Sequence, residues 1–293
     1  MAALKLTRKP QRDRWLNLRG VVPDRLQPLS LAELKALPIG TANGSTVTLE
    51  SEFEIEDGDR LRIELDGDLR RCDGIAGDMR AGELVAHGPV GNYLADGMSG
   101  GRAVVEGDAG WYAASGMRGG QLTIRGDVGR YAAAAPPAAA RGMNGGEVLI
   151  CGAADEFLAS RMRRGRVVVW GDVAAGCATR MIAGTLVLCG QVQSPLGCGM
   201  ARGTLLLLGS PASWIEASPP GFTAWEACEL SFLQILISDA LPHLPVPLRE
   251  SLQAGRWLRS LGDRSLGGQG ELLLRPLSLL SPGEPWLERD WPV

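Results

Sequence analysis

Short alternating runs of apolar and polar residues recur along the middle of the chain at a fixed period. GELVAHGPVGNYLADGMSG begins at Gly82, GRAVVEGDAGWYAASGMRG at Gly101, and GQLTIRGDVGRYAAAAPPAAARGMNG at Gly120. GEVLICGAADEFLASRMRR follows from Gly146, GRVVVWGDVAAGCATRMIA from Gly165, and GTLVLCGQVQSPLGCGMAR from Gly184. A partial unit opens at Gly203, and a degenerate one, LRIELDGDLRRCDGIAGDMRA, precedes the series. The internal methionines Met79, Met98, Met117, Met143, Met162, Met181 and Met200 keep one phase of 19 residues, broken once by a seven-residue insertion. Tyr93, Tyr112 and Tyr131 keep the same spacing, and Phe157 continues their column.

Two glycines frame each run six residues apart, as in Gly101 and Gly107 or Gly165 and Gly171. Between them lie β-formers such as LTI, VVV and LVL, which predict a short strand. Nineteen residues are too few for a helix–turn–helix unit, and leucine-rich spacing is absent. The pattern fits a mainly β chain, a right-handed parallel β-helix of about seven coils of 19 residues. Coils stacked about 4.8 Å apart would make a prism on the order of 35 Å long. Equivalent side chains then form ladders. The methionine and tyrosine columns are read as core or corner packing, and the framing glycines as corners of positive φ. The insertion, residues 132–141, contains Pro136 and Pro137, which keep it out of the sheet as a surface excursion.

Three parts follow: a capping segment over residues 1–60, the β-helix over 61–212, and a helical and extended tail over 213–293. In the first, Ser30 and Glu33 form a capping-box pattern for a short helix in Leu29–Leu37. STVTLESEFEIEDGD alternates as a strand leading into the first coil. In the tail, Thr223 and Glu226 predict a capping box, with Phe222 as a staple, for a helix over Ala224–Ala240. A second helix is expected around Arg249–Leu261, followed by an extended end in which Trp286 and Trp291 need cover.

Charge and composition narrow the function. The 293 residues carry a net charge of −3, which argues against a nucleic-acid binder. No apolar run is long enough to span a membrane, and MAALKLTRKPQRDRW lacks a signal core, so a cytoplasmic protein is expected. Six cysteines show no CxxC pair and read as reduced packing residues. Two histidines cannot build a three-histidine zinc site. Arginine far outnumbers lysine, a bias of GC-rich bacterial genomes. Glu50–Asp68 is acidic, whereas Arg118–Arg202 is basic and densest at RMRRGR. Arg118, Arg141, Arg161, Arg163, Arg164, Arg180 and Arg202 lie beside the glycine–methionine turn. Guanidinium groups along one edge suit carboxylate or phosphate recognition, or a contact with an acidic subunit.

No GxSxG elbow, P-loop or HExxH motif occurs. Asp108, Asp127 and Asp172 recur beside Gly107, Gly126 and Gly171, and read as turn residues capping local backbone groups. His87 shares its phase with Glu106, Arg125, Cys151 and Trp170, a column too varied for a metal ladder. No catalytic and no metal residues are assigned.

The repeated G-x-[VLI]-x-[VLI]-x-G-D…G-M-x-x-G pattern, over about residues 61–209, resembles the GXGXG solenoid of the C-type subunit of formylmethanofuran dehydrogenase. It also resembles the C-terminal domain of the large subunit of glutamate synthase. GDRSLGGQGELLLRPL from Gly262 and KPQRDRWLNLRGVVPDRL are similar to the former branch. The arginine-rich composition favours its bacterial members, which belong to the formyltransferase/hydrolase complex of methylotrophs. That resemblance implies a non-catalytic scaffold subunit in one-carbon metabolism. The complex moves a formyl group from formyl-tetrahydromethanopterin to a methanofuran-like carrier (methylofuran) and releases formate. Implied partners are an amidohydrolase-like subunit holding zinc, a formyltransferase subunit and a further subunit. The carrier's polyglutamate tail is anionic, so the seven arginines are its candidate holders. Arg161 and Arg180 depart from the family pattern by replacing the glycine before methionine. The alternative is a stand-alone β-helical enzyme acting on carbohydrate or acyl substrates.

Overall fold

The structure is a computed structural model and describes residues 2–10, 14–209, 218–228 and 257–275. Its first strands are β1 (Ala3–Arg8), β2 (Leu16–Asn17), β3 (Pro38–Thr41), β4 (Thr46–Thr48), β5 (Phe53–Glu56), β6 (Asp59–Asp66) and β7 (Cys72–Asp73). Three short helices lie among them: α1 (Pro23–Leu26), α2 (Leu31–Lys35) and α3 (Leu49–Glu52). Then come β8 (Glu83–Ala86), β9 (Arg102–Val105), β10 (Arg118–Ile124), β11 (Asn144–Ile150), β12 (Arg164–Val169), β13 (Thr185–Leu188) and β14 (Arg202–Leu207). The last three are β15 (Glu226–Cys228), β16 (Trp257–Gly262) and β17 (Gln269–Leu274).

The fold is mainly β. One 13-stranded sheet runs β15-β16-β17-β14-β13-β12-β11-β10-β9-β8-β6-β1-β5, and its ten central strands, β17 to β1, pair in parallel. Each repeat contributes one strand, and through the strand centres the register runs Leu122↔Val148 and Val148↔Val167. The seven extra residues before β11 leave an irregularity at its start, where the register shifts between Arg118↔Gly145 and Gln121↔Glu147; from Gln121 onward the pairing runs in step to Ile124↔Ile150. Two further lines join each unit to the next. Parallel bridges run Leu69↔Val90, Val90↔Ala109, Ala109↔Val128 and on to Val192. Amide hydrogen bonds run from Ala95 to Ile75, Ala114 to Leu94, Ala133 to Ala113 and Ala159 to Ala132.

The core lies between these lines. Alternate strand residues such as Leu84, Leu122, Val167 and Leu186 point into it, and all seven internal methionines are fully buried there. The two framing glycines serve different ends. The first of each pair takes positive φ, from +77° at Gly101 to +115° at Gly184. The second does so only at Gly88, at φ +133°. A β-carbon at Gly171 would lie 2.6 Å from the carbonyl of Gly152 in the unit below, so close approach is what demands glycine there.

The outer face changes along the sheet. It presents Glu64 and Thr123 near one end but buried Val187, Leu206 and Leu273 near the other, where a second apolar cluster includes Trp257. Continuous runs such as VVV and LVL fit strands covered on both faces.

The ends hold the corrections. The capping box forms as read: the Ser30 side chain accepts from the Glu33 amide, and Glu33 accepts from the Ser30 amide at 2.8 Å. The segment after Ser45 is not one strand. The single turn α3 separates β4 from β5, and β5 turns back antiparallel to β1. That lets Glu52 bury and meet Arg14 at 2.9 Å. The expected helix over Ala224–Ala240 begins instead with β15, and the one around Arg249–Leu261 ends in β16. The open edge left by β14 recruits β17, and β16 and β15 extend it; an unpaired edge outweighs local helix propensity. Thr223 Oγ1 accepts from the Leu261 amide at 3.0 Å rather than capping a helix, and Phe222 is buried. Residues 229–256 and the end with Trp286 and Trp291 lie outside the described residues.

All six cysteines are free. Cys72 and Cys177 are buried, and burial pushes each thiol up to about 12. Cys151 and Cys198 are exposed, contrary to the packing reading, because they occupy outward positions of their units. No helix among the described residues is long and apolar enough to cross a membrane.

Candidate functional site

The strands fix where the arginines fall. Arg118 opens β10, Arg164 opens β12 and Arg202 opens β14, so three of the seven stand at the entrance to the parallel sheet. Arg163 directly precedes β12, and its amide donates to the carbonyl of Met143 at 2.8 Å. Arg161 and Arg180 stand before the buried methionines in the left-handed region, at φ +57° and +53°. A side chain there costs on the order of 1 kcal/mol relative to the glycine used in other units. Arg141 closes the insertion and is exposed.

The structure thus gathers the seven along one corner, in successive units, but unevenly. Arg161, Arg163 and Arg164 share one turn. Arg161 also donates to the carbonyl of Ala139 at 3.3 Å, which ties the insertion to the corner. Arg202 donates to Gln269 at 2.7 Å. Arg118 stands near enough to Asp78 and Asp96 to favour their charged forms. None of the seven forms an ion pair with a described residue. By contrast, Arg166 on the neighbouring strand position meets Glu147 at 2.9 Å.

The acids are structural in a way the sequence did not show. Asp108 accepts from the amide of Asp127 at 2.8 Å, Asp127 from Ala153 at 2.7 Å, and Asp172 from Gln191 at 2.9 Å. Each carboxylate caps the next unit, not its own turn. His87 meets Glu106 at 3.0 Å, and this pairing holds the Glu106 carboxyl below its usual range.

The tyrosine column forms as read. Tyr93, Tyr112, Tyr131 and Phe157 stack with centroids 5.3, 5.0 and 5.2 Å apart and planes within 8°. Sequence reasoning missed that all four occupy positive φ, from +57° to +64°. It also missed what lies at the foot of the column. There the smaller sheet β4-β3-β2-β7 leans on the wall and encloses a cleft of about 330 Å³, lined by Trp15, Arg19, Asp73, Gly74, Tyr93 and Asp96 among others. Arg19 grips Asp78 with Nε at 2.6 Å and Nη2 at 2.9 Å, and Asp96 with Nη1 at 2.7 Å. Its grip holds the Asp78 carboxyl below the usual range. Burial dominates at Asp96 and Asp73 and pushes both up. The phase shared by Asp73, Asn92 and Trp111 was the available signal for this cleft; the partners of Arg19, 59 and 77 residues away, left none.

Arg19→Ala is expected to cost about 1 kcal/mol of stability, because a forked pair is lost but stays partly exposed. Arg19→Lys should recover only part of it, since an ammonium cannot span both carboxylates in one plane. Urea unfolding of both variants measures the difference.

Fold and site together define a repeat-built, mostly parallel β protein whose chemistry-bearing side chains are gathered at a basic corner and an aromatic-lined cleft. Neither a sequence-family model nor a curated protein matches the chain. A solved structure does: the formyltransferase/hydrolase complex (FhcABCD) from Methylorubrum extorquens in complex with methylofuran. The match has 34% identity and a TM-score of 0.83, and covers 92% of this chain and 98% of the other. The chain belongs to the family of that component of the formyltransferase/hydrolase complex.

Proposed function

We propose that this chain is the C-type, non-catalytic scaffold subunit of a formyltransferase/hydrolase complex. In this reading residues 61–212 form a right-handed β-helix of the GXGXG type, between a capping segment and a tail. The three lines of inter-unit hydrogen bonds support that shape. The complex transfers a formyl group from formyl-tetrahydromethanopterin to a methylofuran-like carrier and releases formate. The chemistry lies in partners: an amidohydrolase-like subunit with zinc and a formyltransferase subunit, beside a further subunit, in the cytoplasm. The observation that carries the reading is the match at 34% identity over 98% of a chain of such a complex.

The basic corner gives the scaffold a task. Seven arginines, none in an ion pair with a described residue, form a site for a flexible polyanion, and the carrier's polyglutamate tail is one. Held there, the tail would keep the carrier within reach of both active sites, a gain in effective concentration. Native purification from the source, with mass spectrometry of co-eluting chains, tests the scaffold role. Recovery of a zinc amidohydrolase and a formyltransferase is the expected result; a lone monomer would overturn it. For the tail, Arg163→Glu with Arg164→Glu should lower carrier retention about tenfold or more at low salt and leave assembly intact. Undiminished retention, or loss of assembly alone, would count against the corner as the tail's site.

A further inference from the structure

The aromatic column is closed at one end and open at the other. Beyond Phe157, Gly176 brings its backbone close to the ring: a β-carbon on it would lie 2.7 Å from Phe157 Cδ1. Before Tyr93 the column position is Gly74, so the unit below supplies no ring. The absent side chain at Gly74 leaves room for the Asn17 amide oxygen, 2.9 Å from where a β-carbon would stand, and for the backbone and Cβ of Arg19 at 3.3 Å. The cleft opens beside them, with Trp15 as a further wall. Tyr93 therefore has one face stacked on Tyr112 and lines the cleft on its other side.

The charges of the cleft do not balance. Arg19 is committed to Asp78 and Asp96. Asp73 accepts one hydrogen bond, from the amide of Asn92 at 2.7 Å, and has no cation beside it among the described residues. It is half-buried, where an unpaired carboxylate is costly and attracts a counter-charge. An open aromatic face beside such a carboxylate selects a flat cation, which can stack on the ring and accept the charge in one plane. The wall formed by Trp15 is a large indole that stays 42% exposed. An exposed tryptophan beside a small polar pocket is a common mark of a protein contact centre.

We infer that this cleft receives one arginine side chain of a partner subunit, its guanidinium stacked on Tyr93 and paired with Asp73. The occupant extends the ring column by one place. The inference deepens the scaffold reading and rests on it. The volume of about 330 Å³ holds a single long side chain and leaves the Trp15 indole to cover it.

Asp73→Asn is the discriminating variant. The amide oxygen still accepts from Asn92, so the local backbone is kept while the charge is removed. In the reconstituted complex, the dissociation constant between this chain and its partners should rise about tenfold or more. The free chain's unfolding midpoint should stay within about a degree. A photo-crosslinking residue at position 15 should join to a partner peptide that contains an arginine, and changing that arginine to alanine should match the loss without adding to the Asp73→Asn effect. Equal assembly of the variant and the wild-type chain would overturn the inference and leave the scaffold reading standing. Failure of the wild-type chain to assemble at all would overturn both. Methylguanidinium titrated against the free chain supplies the remaining arm. Binding that needs Asp73, with assembly unaffected by the variant, would assign the cleft to a free small molecule and overturn the partner assignment.

Discussion

Gly171→Ala should remove about 3 kcal/mol of folding stability, although it adds one methyl group to a residue of ordinary backbone conformation. The new carbon would stand 2.6 Å from both the carbonyl carbon and oxygen of Gly152, and 2.7 Å from the amide nitrogen of Ala153. These are backbone atoms fixed by the hydrogen bond from the Gly171 amide to Gly152 at 3.0 Å, so they yield only if two units separate. Gly44→Ala is the comparison. It sits at φ +79° with nothing within 4 Å of the added carbon, so it should lose only backbone freedom, about 1 kcal/mol. Urea unfolding of the two variants decides between sterics and conformation. Equal losses would mean that contact between units is not what selects glycine at position 171.

Met162→Ala should cost about 2–5 kcal/mol, the range for truncating a fully buried side chain that its neighbours cannot replace. The methionine fills a defined gap. Its Cε lies 3.0 Å from where a β-carbon on Gly184 would stand, and Met143 sits in the same relation to Gly165 at 2.8 Å. Each methionine therefore packs under the first framing glycine of a unit above, and the two columns specify one another. Gly184→Ala should be less damaging in the Met162→Ala background, with a coupling of about 0.5–1 kcal/mol. Strain at φ +115° and the contact with Gly165 persist in both backgrounds. A strictly additive pair, measured by denaturant unfolding, would show that the columns do not touch.

Much of this architecture can be read from spacing. Strands, methionines and stacked rings share one period, and a period is visible in one sequence. The missed features share another property, because their causes lie across units. Tyr93 and Ala95 take left-handed backbone, at φ +57° and +53°, for which glycine is the normal sign, so nothing in their type announces it. The tail looked helical because its apolar residues suit that spacing, yet Trp257–Gly262 answers to the sheet edge through Gln269–Leu274. At the candidate site the arginines were legible because each falls within two residues of a methionine of the repeat. Their unequal surroundings were not: Asp78 and Asp96 near Arg118, or Gln269 beside Arg202, come from distant chain. The cleft needed Trp15 and Arg19 to cross from the first twenty residues onto the first units, an encounter no local pattern encodes.

The register that the strand centres keep past the insertion has a consequence for how this family can vary. Pairing in the strand centres repeats from unit to unit, so gaining or losing one unit leaves the rest of that pairing as it was and moves the two ends apart or together by one strand spacing, about 4.8 Å. Additions at a corner, like residues 132–141, change no length at all. Distance along the axis is therefore inherited in whole steps, while the outline of the corners drifts freely. A molecule built this way is a ruler with fixed graduations, and anything fastened to both of its ends would be set apart by a counted number of repeats.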